Sequence, residues 1–178
     1  MLVQLTLSNF RCFASHIVPL RPLTVVVGRN NAGKSSIVDA LRLISLVTKR
    51  YQSLNFTRPP AWLEIPMRHR GVVPSLRGVE MNLDTVFHCY ADPPASIVAT
   101  FAAGDTVSVY LGPKREIYAT ILDTAGEPLT SKAEALRARI SPVNILPQIA
   151  PLPSKKRNCW PIAFSIETTI QVMRSMSA

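Results

Sequence analysis

Lys34 and Ser35 close a glycine-containing stretch, GRNNAGKSS from residue 28 to residue 36, whose spacing fits the phosphate-loop pattern G-x-x-x-x-G-K-[ST]. Gly28 and Gly33 accept backbone angles that residues with side chains disfavour, so the chain can wrap around a phosphate. The Lys34 ammonium then reaches the β- and γ-phosphates, and the Ser35 hydroxyl is a ligand for Mg²⁺. The sequence therefore predicts a site for a nucleoside triphosphate with magnesium. The residues predicted to form it are Gly28, Asn30, Asn31, Ala32, Gly33, Lys34, Ser35 and Ser36.

Such a loop needs a strand before it and a helix after it, and the sequence offers a candidate for each. Residues 23–27, LTVVV, suit a strand that is covered on both faces. The stretch from Gly33 to Val47 is apolar around most of its circumference, which predicts a helix buried against a sheet. Its polar positions form only a narrow stripe, made of Asp39, Arg42, Ser45 and Lys49.

The remaining segments are mainly β in character, because alternating apolar residues and turn-forming residues recur along them. An irregular connection with one short helical turn is predicted between them at about residues 50–78, where four prolines fall. The predicted elements are a strand at 2–8, a short strand near His16 to Leu20, an antiparallel sheet of about four strands at 80–122, a helix capped by Ser131 and Glu134 that ends before Pro142, and a short strand from Val143 to Leu146.

Composition predicts a globular chain with a basic surface. Of the 178 residues, 47% are hydrophobic, and the formal net charge is +9. This charge favours polyanionic partners, either nucleotide phosphates or nucleic acid. The basic clusters at 68–70 and 155–157 are short and lack interleaved aromatic residues, so contact with DNA and a simple solvated basic face both stay open.

The cysteines, the histidines and the amino terminus indicate a cytoplasmic protein. Three cysteines far apart in sequence make neither a disulfide framework nor a metal cluster, so we expect them to be reduced and buried. The histidines are equally scattered. No apolar run approaches the ~20 residues that span a bilayer, and the first residues, MLVQLTLSNF, alternate like a strand rather than a signal peptide.

Several segments together resemble the amino-terminal lobe of ABC-type ATPase heads, and in particular the RecF/SMC and OLD-nuclease branch, which is often grouped with AAA-family ATPases. The resemblance lies in LTLSNFRCF, the short second strand, PLTVVVGRNNAGKSSIVDALRLI and the later antiparallel sheet, and it covers residues 1–153. It implies ATP and Mg²⁺ as cofactors, and a DNA-repair or phage-defence type of system. In that branch a basic residue after Asn-Phe approaches the phosphates, and here that residue is Arg11.

The resemblance also implies a fold and one further ligand. The expected fold class is α/β, a P-loop NTPase lobe in which a mixed sheet carries the phosphate loop and a buried helix, with a separate antiparallel sheet. In such heads a glutamine that contacts Mg²⁺ and the γ-phosphate follows the antiparallel sheet, and Gln148 stands at a suitable place. A solvated loop glutamine is an equally good interpretation of Gln148.

The parts that such heads use for hydrolysis are missing from the sequence. After residue 148 there is no Leu-Ser-Gly-Gly-like signature, no apolar strand ending in Asp-Glu and no switch histidine. Residues 154–178 show no family resemblance, which suggests a tail or the end of an interrupted reading frame. The expected function is therefore Mg-ATP binding without hydrolysis by the chain alone, with a second chain supplying the missing half-head. The alternative is an inactive truncated remnant.

A GTPase switch is a third interpretation, because ILDTAGE at 121–127 contains the Asp-x-x-Gly of Ras-like GTPases. Eighty-nine positions separate Lys34 from Asp123, longer than the usual gap in that family, and no Asn-Lys-x-Asp motif occurs. Asp123 to Gly126 also falls where a hairpin turn is expected. If the chain did hydrolyse nucleotide, the acids to consider would be Asp84, Asp92 and Asp123.

Overall fold

The structure is a computed structural model that describes residues 1–30, 32–77 and 81–145. Within these ranges no helix is long and apolar enough to cross a membrane. The elements are β1 (Leu2–Phe10), β2 (Phe13–Pro19), α1 (Lys34–Arg50), β3 (Phe56–Thr57), β4 (Gly71–Val72), β5 (Ala95–Phe101), β6 (Thr106–Leu111), β7 (Ile117–Leu122) and α2 (Lys132–Arg137). Short 3₁₀ turns lie at His88–Tyr90 and Pro113–Arg115.

All seven strands belong to one sheet with the order β2-β1-β5-β6-β7-β4-β3, and every neighbouring pair is antiparallel. The prediction of a mixed sheet beside a separate antiparallel sheet is therefore wrong. The two predicted sheets merge because β1 pairs with β2 through one edge and with β5 through the other, placing Leu5 opposite Ala99.

The predicted strand at residues 23–27 is also not a strand in the structure. Leu23, Val25 and Val27 are 74%, 68% and 83% exposed, although the apolar run predicted cover on both faces. A strand gains stability from neighbours on its edges and faces, and no strand of the described residues pairs with this run. The chain thus enters the phosphate loop from an extended, solvent-exposed segment.

The hairpin-rich middle of the chain forms three strands, β5 to β7, where about four were predicted. The apolar positions of the predicted alternation are confirmed in β6, since Val107, Val109 and Leu111 are buried in the core, although Ser108 between them is buried as well. The turn between β5 and β6 uses Gly104 with a φ of 103°, a backbone angle that favours glycine. The predicted fourth strand is replaced by irregular chain and the turn at His88–Tyr90.

Helix α1 confirms the prediction of a buried helix. It packs against β5 and β6, and Leu43, Ile44 and Val47 are completely buried. Its other side is covered by the chain after α2: the Ser45 hydroxyl donates to the carbonyl of Val143 at 2.6 Å. Cover on two sides explains why the sequence of α1 is apolar around most of its circumference.

The segments flanking this core mostly match their predictions. Residues 51–77 are irregular apart from the two-residue strands β3 and β4, and the short helical turn predicted in this stretch does not occur among them. Ser131 caps α2 by accepting from the amide of Glu134 at 3.3 Å, while Glu134 accepts from the amide of Thr130, which lowers its pKa. The predicted strand from Val143 to Leu146 is wrong for residues 143–145, and Leu146 and Gln148 lie outside the described residues.

Tyr118 on β7 predicts how stability depends on pH. Its hydroxyl donates to the carbonyls of Thr57 and His69 at 3.0 and 3.2 Å, and burial raises its pKa from 10.0 to about 12. Between these values the unfolded chain loses the tyrosine proton while the folded chain keeps it, so the free energy of unfolding falls as pH rises from 10 to 12. Urea unfolding at several pH values over this range should show that the free energy of unfolding declines less steeply for Tyr118→Phe than for wild type. If the free energy of unfolding declined equally in both proteins, the raised pKa of Tyr118 would not be the cause of the pH dependence.

Candidate functional site

The phosphate-loop motif occupies the turn between the extended segment at 23–27 and the start of α1. Gly33 is the residue before the helix and has a φ of 88°, in the left-handed region. Its carbonyl accepts the first helical bond, from the amide of Ile37 at 3.1 Å, and the amide of Ala32 donates to the carbonyl of Arg29 at 3.1 Å. Asn31 lies outside the described residues.

The hairpin between β1 and β2 leaves no room for a side chain at Gly33. A Cβ placed on Gly33 would lie 2.6 Å from Cζ of Phe13 and 2.8 Å from Sγ of Cys12. Gly28 is less crowded, since its Cβ would approach the Cβ of Ala32 at 3.2 Å. The sequence contained no signal that Cys12 and Phe13 would lie against the loop, because that contact depends on the tertiary fold.

The Lys34 side chain folds back over the loop. Its Nζ donates to the carbonyls of Gly28 and Arg29 at 2.6 and 2.7 Å. An ammonium group has three donors and seeks oxygen acceptors, so these carbonyls occupy directions in which phosphate oxygens would serve as better, charged partners. Contact of Lys34 with the terminal phosphates stays a prediction of the motif.

The two serines of the motif differ in what they can reach. Ser35 is exposed in the first turn of α1, whereas Ser36 is buried with its Oγ 3.6 Å from Sγ of Cys12. Ser35 is thus the exposed serine of the two, at the position that the motif predicts as a ligand for Mg²⁺. The first turn of this 17-residue helix has no acidic residue, so its unpaired amides and positive dipole end are open to an anion.

Arg11 links the β1–β2 hairpin to α1. Its guanidinium lies 3.0 Å from Oδ2 of Asp39 and donates to the carbonyl of Asn82 at 3.0 Å. Oδ1 of Asp39 accepts from Arg42, also at 3.0 Å. Asp39 was predicted to lie on the polar stripe of the helix, but it is only 8% exposed and serves as the counterion of Arg11. Because Asp39 follows Ser35 by four residues, Arg11 contacts α1 about one helical turn beyond Ser35. The buried Nε of Arg11 has no hydrogen-bond partner among the described residues.

Two of the three acids considered for hydrolysis, Asp123 and Asp84, hold local structure. Oδ1 of Asp123 accepts from the amides of Ala125 and Glu127 at 2.9 Å each, which closes the turn after β7. Asp84 pairs with Arg115 at 2.7 Å, and Asp92 is exposed. Within the described part of the chain, no three His, Cys, Asp or Glu residues gather as a metal site.

Gly33→Ala is expected to destabilise the loop and weaken nucleotide binding about tenfold, because the left-handed φ of 88° costs an alanine about 1–2 kcal/mol. Gly126→Ala is the matched control: its φ is 82°, yet a Cβ there meets nothing within 4 Å. Both variants should lose stability in urea unfolding, but only Gly33→Ala should lose affinity in nucleotide titrations. Equal affinity in the two variants would contradict the role of Gly33.

Comparison with known proteins identifies a family for the chain. A family model described as an AAA ATPase domain matches residues 1–92, more than half of the chain, and includes β1, β2, the phosphate loop and α1. The chain is also similar to an OLD nuclease from Thermus scotoductus (strain ATCC 700910 / SA-01), with 48% identity over 44 residues. That match covers 25% of this chain and only 8% of the nuclease. The chain therefore belongs to the AAA ATPase domain family.

Proposed function

We propose that this chain binds Mg-ATP through residues 28–36 and acts as the nucleotide-binding lobe of an ATPase related to the RecF/SMC and OLD branch. The observation that carries the proposal is the position of Lys34, whose ammonium is held by two carbonyls of the loop at 2.6 and 2.7 Å. A phosphate placed there would meet Lys34, the amides at the start of α1 and the Ser35 hydroxyl together. Charge-assisted bonds to phosphate are stronger than the carbonyl contacts that they replace.

Mg²⁺ would be held by Ser35 and by the phosphates, and when bound it neutralises charge on the β- and γ-phosphate oxygens. Gln148 is proposed as a further ligand of Mg²⁺, and this proposal rests only on the resemblance to ABC-type ATPase heads. Arg11 is a proposed phosphate neighbour, but Asp39 now competes for its guanidinium. If Arg11 faces the γ-phosphate, Arg11→Ala should weaken ATP more than ADP, and equal effects would leave it a structural residue.

A second polypeptide is proposed to complete the catalytic unit. The exposed apolar side chains of Leu23, Val25 and Val27 support this, because a partner surface packed against them would remove them from water. Such a partner would also bring the acid and the water-orienting group that phosphoryl transfer to water requires. A role in DNA repair or phage defence, with contact to DNA, is the corresponding proposal for the assembled protein.

A GTPase switch is the weaker candidate. Asp123 already accepts two backbone amides within its own turn, and an antiparallel bridge between Leu122 and Pro128 continues the hairpin beyond it. A γ-phosphate sensor needs a free group at the phosphate. Competition of ATP and GTP against a fluorescent nucleotide separates the candidates, with ATP expected to compete better.

The isolated chain is expected to show no appreciable ATP hydrolysis, because binding the ground state does not by itself lower the chemical barrier. Phosphate release from purified chain with Mg-ATP measures this. A turnover of about 1 per second, in the usual range for enzymes, that disappears in Lys34→Ala would overturn the expectation. Asp84→Asn, Asp92→Asn and Asp123→Asn would then identify the acid responsible.

A further inference from the structure

A second cluster of reactive groups lies on the loop between β4 and β5, away from the phosphate motif in sequence. Cys89 is exposed, and its Sγ lies 3.3 Å from Nε2 of His88. The prediction that the cysteines are buried is therefore wrong for Cys12 and Cys89, whereas Cys159 lies outside the described residues. A thiol beside an imidazole is a combination that nucleophilic sites use, since the imidazole can take the thiol proton.

The hydrogen bonds of His88 define which of its nitrogens carries the proton. Nδ1 lies 3.0 Å from the backbone carbonyl oxygen of Arg11, and a carbonyl oxygen can only accept. Nδ1 is therefore the N–H donor of the neutral ring. Nε2 then presents a lone pair toward Cys89, and the thiol donates its hydrogen to it.

The end of β1 holds this imidazole in place. Oδ1 of Asn9 accepts from the amide of His88 at 3.1 Å, while its Nδ2 donates to the carbonyls of Asp92 and Pro94 at 2.8 and 3.1 Å. The amide of Arg11 donates to the carbonyl of Val86 at 2.6 Å. The carbonyl of Arg11, the imidazole of His88 and the thiol of Cys89 thus form an orienting group, a base and a nucleophile in sequence.

We propose that Cys89 is a nucleophilic thiol, activated by His88, and a site of modification by low-molecular-weight disulfides. The Cys89 proton passes to Nε2 of His88, and the thiolate attacks one sulfur of the disulfide RS–SR. A new S–S bond joins Cys89 to that sulfur while the old S–S bond breaks. The leaving thiolate RS⁻ takes the proton from His88, so the products are the Cys89 mixed disulfide and RSH.

Cys12 provides a control within the same chain. It is also exposed, but its hydrogen-bond partner is Oγ of Ser36 at 3.6 Å, and a hydroxyl is no base for a thiol. The two cysteines therefore differ in the neighbour that can accept a proton. The proposal does not depend on nucleotide binding.

The test is to react the full chain with oxidised glutathione and, separately, with iodoacetamide, and to follow each cysteine by peptide mass spectrometry. Cys89 is expected to react at least about tenfold faster than Cys12, because only Cys89 of these two has a neighbouring base that can take the thiol proton. His88→Gln, which keeps an amide donor for the Arg11 carbonyl but has no basic nitrogen, should slow Cys89 about tenfold and leave Cys12 unchanged. Circular dichroism confirms that the variant is folded.

Three results would overturn the proposal. The first is equal rates at Cys89 and Cys12 in the wild-type chain. The second is an unchanged Cys89 rate in folded His88→Gln. The third, which needs no variant, is a rate advantage of Cys89 that survives in concentrated urea, since the arrangement of Arg11, His88 and Cys89 exists only in the folded chain.

Discussion

Replacing Asp39 with alanine is expected to lower the free energy of unfolding by about 2–4 kcal/mol, because the Arg11 guanidinium would lose its counterion in a largely buried place. The side chains of Arg11 and Asp39 are only 20% and 12% exposed. Water cannot fully replace the lost carboxylate, so the remaining charge stays poorly solvated. Urea unfolding followed by circular dichroism measures the loss.

Asp84→Ala is the matched control for this prediction. Its contact with Arg115 is shorter, 2.7 Å against 3.0 Å, yet the side chains of that pair are 63% and 67% exposed. Exposed ion pairs contribute little because water solvates both charges, so the expected loss is below about 1 kcal/mol. If the two variants lost equal stability, burial of the Arg11–Asp39 pair would not increase the contribution of that pair to the free energy of unfolding.

Lys34→Ala is expected to weaken Mg-ATP binding by about 1.5–3 kcal/mol, roughly ten- to more than hundredfold, because a charge-assisted contact is lost inside a fixed loop. The stability of the variant should change little, since the hydrogen bonds of Lys34 within the described residues go to carbonyls of its own loop, those of Gly28 and Arg29. Titration calorimetry on wild type and variant measures the difference.

Lys49→Ala separates this contact from the general attraction of a chain with net charge +9. Lys49 is exposed near the other end of α1, about 22 Å from Lys34 at 1.5 Å per residue. The Lys49→Ala variant removes the same unit of charge as Lys34→Ala but leaves the loop intact. At that distance, screening by salt makes the effect of the lost charge on the phosphates small. Similar losses in the two variants would show that Lys34 acts through net charge alone.

Local sequence signals predicted those parts of the fold that local interactions determine. Helix α1 follows from its apolar pattern, the cap of α2 from Ser131 and Glu134, and the β5–β6–β7 hairpins from alternation and turn residues. The joining of β1 to β5 was not predictable in this way, because it pairs residues more than 80 positions apart, such as Leu7 with Ile97. Strand order in a sheet depends on such distant pairs.

The same distinction holds in the candidate site. Gly33, Lys34 and Ser35 followed from a motif whose spacing reflects the geometry of one turn. The packing of Phe13 against Gly33 and the ion pair of Arg11 with Asp39 join segments about 20 to 30 positions apart, and no residue type announced them. The prediction of a buried strand at 23–27 was wrong because it used apolar character alone. Burial also requires another segment that packs against the apolar side chains.

Titration calorimetry of Mg-ATP into the purified wild-type chain, with a thermal melt in parallel, tests most directly the claim that residues 28–36 form a nucleotide site. We predict saturable binding and a raised melting temperature, since a ligand that binds only the folded state stabilises it. Both effects should be strongly reduced in Lys34→Ala. A wild-type chain that melts cooperatively but shows neither heat of binding nor a shift in melting temperature at millimolar Mg-ATP would contradict the claim.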